Sequence, residues 1–201
     1  MVDLYQQKID QLEASIKWPS DENVLVLNCG NSDLKGFING EYFVVPTSYS
    51  SARGCRPREM NKQRPAIDGC FAVYDLGERK RQYKFGVGQE GGKMPANSDK
   101  GGFYKTFVQG CCAAAKDTSL PYRVIISHWD EYRDNEIEAQ LLGTHVVCVN
   151  GKDIQFEIKE VVFIPEGGGS DLIYREVGAG RLGIVDIGYD TIGVRVTGDN
   201  G

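Results

Sequence analysis

The chain has 201 residues, 41% of them hydrophobic and 25% charged, which is room for one good domain or two small ones and excludes wholesale disorder. A formal net charge of −5 excludes a general electrostatic footprint for nucleic acid, and no apolar run approaches the roughly 20 residues of a membrane helix. The N-terminal segment lacks a signal-peptide core, so a cytoplasmic protein with no membrane partner is the expectation.

Taken in order, Leu4, Ile9, Leu12 and Ile16 have a loose helical spacing and predict a peripheral N-terminal helix. Residues Val24 to Leu27 read as a short buried strand, and Leu34 to Ile38 as the next. Asn39-Gly40 before Glu41 to Val45 is a two-residue hairpin turn, because both positions favour positive φ. The polar stretch Ser48 to Arg64 reads as a loop. Ala66 to Asp75 and Gln82 to Val87 read as a hairpin, and Gly88 to Gly102 as a glycine-rich loop. Phe103 to Lys116 predicts a helix of small residues, Val124 to Ile126 a buried strand, and Asp130 to Leu142 a helix stopped by Gly143. Val146 to Val149 and Ile154 to Ile164 are strands around a second hairpin signal, Asn150-Gly151. Gly167 to Gly169 opens a loop or helix, with Leu172 to Val177 as that helix. Leu182 to Ile187 and Ile192 to Val196 form a last hairpin. The order is mixed α/β.

Six cysteines include no C-x-x-C pair, so they read as reduced structural thiols. Cys29 and Cys148 fall in strands, and Cys111-Cys112 on a buried helix face. His128 and His145 stand near no nucleophile arrangement and read as structural residues.

Two segments carry the functional signal. Asn28-Cys29-Gly30-Asn31-Ser32 with Lys35, and Asp186-Ile187-Gly188-Tyr189-Asp190-Thr191, each follow a strand with an amide or carboxylate, a glycine and a polar turn. Either alone also reads as an ordinary turn. Backbone N–H groups in such a turn form a concave anion nest, and glycine lets a phosphate come close. Two nests face to face would clamp the phosphates of a nucleotide. Lys35 would neutralise phosphate charge, and Asp186 is placed to hold hydrated Mg²⁺.

These segments resemble the two phosphate loops of the actin-like ATPases, within the superfamily of actin, Hsp70 and sugar kinases, and most nearly the plasmid-segregation actins of the ParM type. Arg123 to Trp129 and Ile164-Pro165-Glu166-Gly167-Gly168-Gly169 match the segments between the loops, so the likeness covers residues 24–197. It implies a ribonuclease H-like mixed sheet with flanking helices: a helical extension over 1–20, a first actin-like domain over 21–180, and the start of a second domain over 181–201. The rest of that second domain, with its adenosine pocket, lies beyond Gly201, which leads us to expect a truncated reading frame.

The resemblance also implies the site. Asn28, Gly30, Asn31, Ser32, Lys35, Asp186, Gly188, Tyr189, Asp190 and Thr191 would bind ATP or GTP. Asp186, with Asn28 through water, would hold Mg²⁺. Glu166 would orient the water that attacks the γ-phosphate, in a reaction that depends on positioning and charge screening. Asn28 departs from the family's aspartate, keeping an acceptor oxygen and losing the charge. The implied function is a nucleotide-dependent filament former that segregates plasmid or other DNA through an adaptor protein. Residues 48–64 and 88–102 are candidate contacts between subunits, solvated surface being the plainer alternative. The alternative function is a non-hydrolysing scaffold or capping module. A sugar- or carboxylate-kinase relative is a third, without a recognisable sugar pocket.

Overall fold

The computed structural model describes residues 7, 10, 11, 14–30, 33–46, 49–51, 71–75, 82–85, 100–114, 117–128, 135–149, 152–166, 182–187 and 192–197. Near the N-terminus Gln7, Asp10, Gln11, Ala14 and Ser15 are helical, within the stretch whose spacing predicts a helix.

Nine strands form one mixed sheet. In chain order they are β1 (Asn23–Cys29), β2 (Asp33–Ile38), β3 (Glu41–Pro46), β4 (Tyr49–Ser51), β5 (Phe71–Asp75), β6 (Gln82–Phe85), β7 (Tyr122–His128), β8 (Gly143–Val149) and β9 (Lys152–Pro165). Their spatial order is β3-β2-β1-β7-β9-β8-β5-β6-β4. β1, β7 and β9 run parallel, while every other pairing in this sheet is antiparallel. Strands β10 (Leu182–Ile187) and β11 (Ile192–Thr197) make a separate two-stranded sheet.

One face of the large sheet is closed by helices α1 (Lys100–Ala114) and α2 (Asn135–Leu141). α1 buries Tyr104, Phe107, Val108, Cys111 and Cys112, the i, i+3, i+4, i+7, i+8 positions of an apolar stripe. Against it lie Leu25, Leu27 and Cys29 of β1, Val124 and Ile126 of β7, and Ile158 and Val161 of β9, all in one core cluster. Their alternation is the period-2 pattern of strands with one fully covered face. Cys29, Cys111 and Cys112 are buried cysteines. Burial pushes the Cys111 and Cys112 thiols up, away from ionisation, and the neighbouring Cys111 adds to the effect at Cys112.

The β2–β3 turn has the geometry expected from Asn39-Gly40, with φ of 50° and 87°. It is also tied to the sheet's base. Asn39 Oδ1 accepts from the Val24 amide at 2.8 Å, and Asn39 Nδ2 donates to Asn23 Oδ1 at 2.8 Å. Asn23, buried, donates onward to the Asp117 and Leu120 carbonyls at 3.0 and 3.1 Å. Trp18 packs over the turn, its Nε1 lying 2.7 Å from where a Cβ on Gly40 would project. This end of the sheet is stitched closed by polar groups with satisfied partners, as burial requires.

β9 changes partners along its length. Residues 152–158 pair with β8, and 158–165 with β7, with a bulge that skips Lys159. Lys159 Nζ lies 2.6 Å from the carboxylate of Glu22, which also takes Arg123 at 3.3 Å, and Arg123 reaches Glu160 at 2.7 Å. Glu22 is only 5% exposed, so these cations offset the cost of burying its charge.

Three expectations need adjustment. Residues 48–64 are not wholly loop, because Tyr49–Ser51 joins the sheet edge as β4, paired with β6. α1 begins at Lys100 rather than Phe103, taking in Gly101 and Gly102 despite their poor helix propensity. Of the helix expected over 130–142, residues 135–141 are helical, and 130–134 lie outside the described residues, as do the turn at 150–151 and the helix expected at 172–177. No helix among the described residues is long and apolar enough to cross a membrane.

Candidate functional site

Parallel strands deliver their carboxyl ends to one edge of a sheet, and in open α/β sheets ligands bind there. β1 ends at Asn28-Cys29, β7 at Ser127-His128, and β9 at Ile164-Pro165, with Glu166 next in the chain. The register aligns them: Asn28 is beside Ser127, Ser127 beside Ile164, and His128 beside Pro165. With neighbouring strands about 4.8 Å apart, Asn28 and Ile164 lie about 10 Å from one another across the end of the sheet. Segments separated by more than 130 positions in sequence thus share one rim.

β2 completes the row from the other side. It runs antiparallel to β1, and Lys35 stands directly opposite Asn28. Partners directly opposite on an antiparallel pair project to the same face with Cβ atoms about 5 Å apart. That face is the one α1 and α2 leave open. Lys35 is exposed, and Asn28 and Ser127 are half-buried, whereas Leu27, Leu34 and Ile126 beside them on the other face are fully buried. The row therefore reads ammonium, amide, hydroxyl, then the apolar Ile164.

Gly30 follows β1 directly and is half-buried, at the start of the β1–β2 connection. Asn31 and Ser32, the tip of that connection, lie outside the described residues, as do Gly188, Tyr189, Asp190 and Thr191 of the second turn. Asp186 is on β10, paired with Gly193 of β11. Glu166 is half-buried in the turn after β9. So the large sheet brings Asn28, Gly30, Lys35 and Glu166 to one rim, while Asp186 sits on the separate hairpin. Among the described residues no group of three or more His, Cys, Asp or Glu side chains is placed to hold a metal ion.

One member of the row escaped the motif reading. Ser127 looked like part of a strand end, and the signal for it was available: a hydroxyl residue at the carboxyl end of a buried parallel strand. His145, by contrast, is structural as expected. It is buried on β8 and stacked on Phe156 with centroids 5.4 Å apart. Its Nε2–H donates to the Leu141 carbonyl at 2.7 Å, which leaves Nδ1 to accept from Gln109 Nε2 at 3.1 Å.

No protein-family model matches the sequence. No curated protein matches it either. Solved structures do match its shape. The apo ParM protein of pSK41 superposes with a TM-score of 0.65 at 17% identity, over 90% of this chain and 63% of that one. Ta0583, an archaeal actin homologue, gives 0.62 at 15% identity, over 88% of this chain and 57% of that one. The AlfA filament bound to AMPPNP gives 0.56 at 18% identity, over 86% and 64%. The chain thus spans about 60% of the length of these proteins. The strands that form the rim, and the helices behind them, have the fold of the actin-like proteins over the part of those proteins that this chain spans.

Proposed function

We propose that this chain binds a nucleotide, ATP or GTP, by its phosphates at the rim formed by β1, β2, β7 and β9, and that nucleotide binding drives its assembly into filaments that move plasmid or other DNA through an adaptor protein. The carrying observation is the convergence of Lys35, Asn28, Gly30 and Glu166 at the carboxyl ends of three parallel strands. The fold supports it, since similar structures include AlfA as a filament bound to AMPPNP and Ta0583 in complex with ADP. In this reading Gly30, Asn31 and Ser32 cradle one phosphate from one side, and Asp186 with Gly188, Tyr189, Asp190 and Thr191 close from the other. Lys35 balances phosphate charge. Glu166 accepts a hydrogen bond from the attacking water and fixes its direction. Residues 1–20 would then be an extension, 21–180 the first domain and 181–201 the beginning of the second, with a cytoplasmic location following from the role.

The test is titration of the chain with ATP and with GTP, together with light scattering and electron microscopy for assembly and phosphate release for turnover. Binding with nucleotide-dependent polymers supports the proposal, and Glu166→Ala then abolishes phosphate release while leaving binding intact. Absence of binding to either nucleotide refutes it. A second reading, a scaffold that binds nucleotide without hydrolysing it, is favoured by one observation: the residue at the end of β1 is Asn28, a neutral amide. Assembly without phosphate release selects that reading.

A further inference from the structure

We infer that the rim takes its phosphate group as a bare anion, without a divalent cation, because Asn28 leaves the charge of Lys35 available to the ligand. The inference rests on the nucleotide site proposed above and concerns what that site demands of its ligand.

The argument starts from the register. Asn28 and Lys35 are directly opposite on β1 and β2, on the same open face. A carboxylate at position 28 would stand within ion-pair reach of the Lys35 ammonium and occupy it. The amide carries no charge and does not compete for it. No described carboxylate pairs with Lys35, in contrast to Lys159 and Arg123 at the opposite end of the sheet, which are both engaged by glutamates. Next along the row Ser127 offers a hydroxyl that donates or accepts, and Ile164 offers nothing polar.

Mg²⁺ does not fit this donor set. The ion demands near-octahedral oxygen ligands and is usually held through carboxylates. Along β2, β1 and β7 the row presents one full positive charge and no negative one, since the rim's carboxylate, Glu166, stands past the apolar Ile164 in the turn after β9, and a cation placed against Asn28 would face repulsion from Lys35. A phosphate oxygen fits: it accepts from the ammonium, the Asn28 amide N–H₂ and the Ser127 hydroxyl. Asp186, the other residue expected to meet a metal, lies on the separate β10–β11 hairpin, and the row adds only the neutral oxygens of Asn28 and Ser127 to it.

The experiment measures ATP affinity of the full chain by calorimetry in excess EDTA and in millimolar MgCl₂. The wild type is expected to bind within about threefold in the two buffers. Asn28→Asp is expected to lose roughly tenfold in EDTA, because a carboxylate replaces the amide that donates to the phosphates, and to recover with Mg²⁺. Lys35→Gln is expected to weaken binding roughly tenfold in both buffers. Wild-type affinity that falls tenfold or more in EDTA overturns the inference, as does an Asn28→Asp chain with the affinity of the wild type in both. Circular dichroism of each variant separates loss of binding from loss of fold. If ATP binds in neither buffer, the nucleotide reading fails, and inorganic pyrophosphate in EDTA decides the anion row by itself. Binding that Lys35→Gln abolishes upholds the row, and no pyrophosphate binding overturns it.

Discussion

Replacing Gly36 by alanine probes the joint that holds Lys35 in place. Gly36 lies on β2, opposite Leu27 of β1 and Phe43 of β3, on the buried face. A Cβ there would run into the carbonyl oxygen of Val26 and come to 2.7 Å from Cζ of the Phe43 ring. The ring can turn away, but the carbonyl is fixed in the β1–β2 ladder, so the two strands must part. Overpacking of this kind typically costs about 1–3 kcal/mol, and a backbone obstacle places Gly36→Ala at about 3 kcal/mol. For a domain of this size that is a drop of roughly 6–12 °C in the thermal midpoint. Urea unfolding followed by circular dichroism gives the free energy directly. The same substitution in a Phe43→Ala background removes the ring and leaves the carbonyl, so a further loss of at least about 1 kcal/mol persists there. Wild-type stability in Gly36→Ala, or complete relief by Phe43→Ala, would refute the reasoning.

Two other perturbations follow from buried polar and ionisable groups. Tyr122 is fully buried, and its hydroxyl shares its one proton between the Cys112 carbonyl at 2.9 Å, in the last turn of α1, and the Asp117 carbonyl at 3.2 Å beyond it. Tyr122→Phe keeps the edge-on contact with Phe156 and leaves those carbonyls without the donor, so we expect a loss of about 1–2 kcal/mol in urea unfolding. Cys111 and Cys112 have thiols raised above their ordinary value of 9.0 by burial. A group raised in the folded state contributes stability in full below its unfolded pKa and loses it as pH climbs toward the folded value. Unfolding free energy should therefore fall above about pH 9, by up to about 1.4 kcal/mol per pH unit for each thiol, and a Cys111→Ala, Cys112→Ala chain should lose that slope.

Local chemistry made much of this legible. Asn39-Gly40 named its turn because the backbone there needs positive φ, and Cys111-Cys112 marked the buried face of α1. The phosphate-loop pattern pointed to Asn28, Gly30 and Lys35, which the sheet does bring to one rim. What stayed hidden depends on partners distant in sequence. Nothing local to Tyr49–Ser51 says that it pairs with β6, because a short polar edge strand has the composition of a loop. The Asn23 network was invisible for the same reason, since its side-chain partners lie 16 to 97 positions away. Ser127 joins the row only through the parallel register of β1 and β7, which no motif encodes.

β9 is one uninterrupted strand of 14 residues, about 46 Å long, with its first half committed to β8 and its second to β7. The large sheet therefore runs from its outer strands to its rim through one shared strand. Excising β8, β5, β6 and β4 as a module would strip the hydrogen-bonding partner from residues 152–158 of the very strand that ends at Pro165, just before Glu166. Grafting or domain-swapping schemes for this fold have to carry β9 whole, and insertions belong in the connections between strands, where they interrupt neither half.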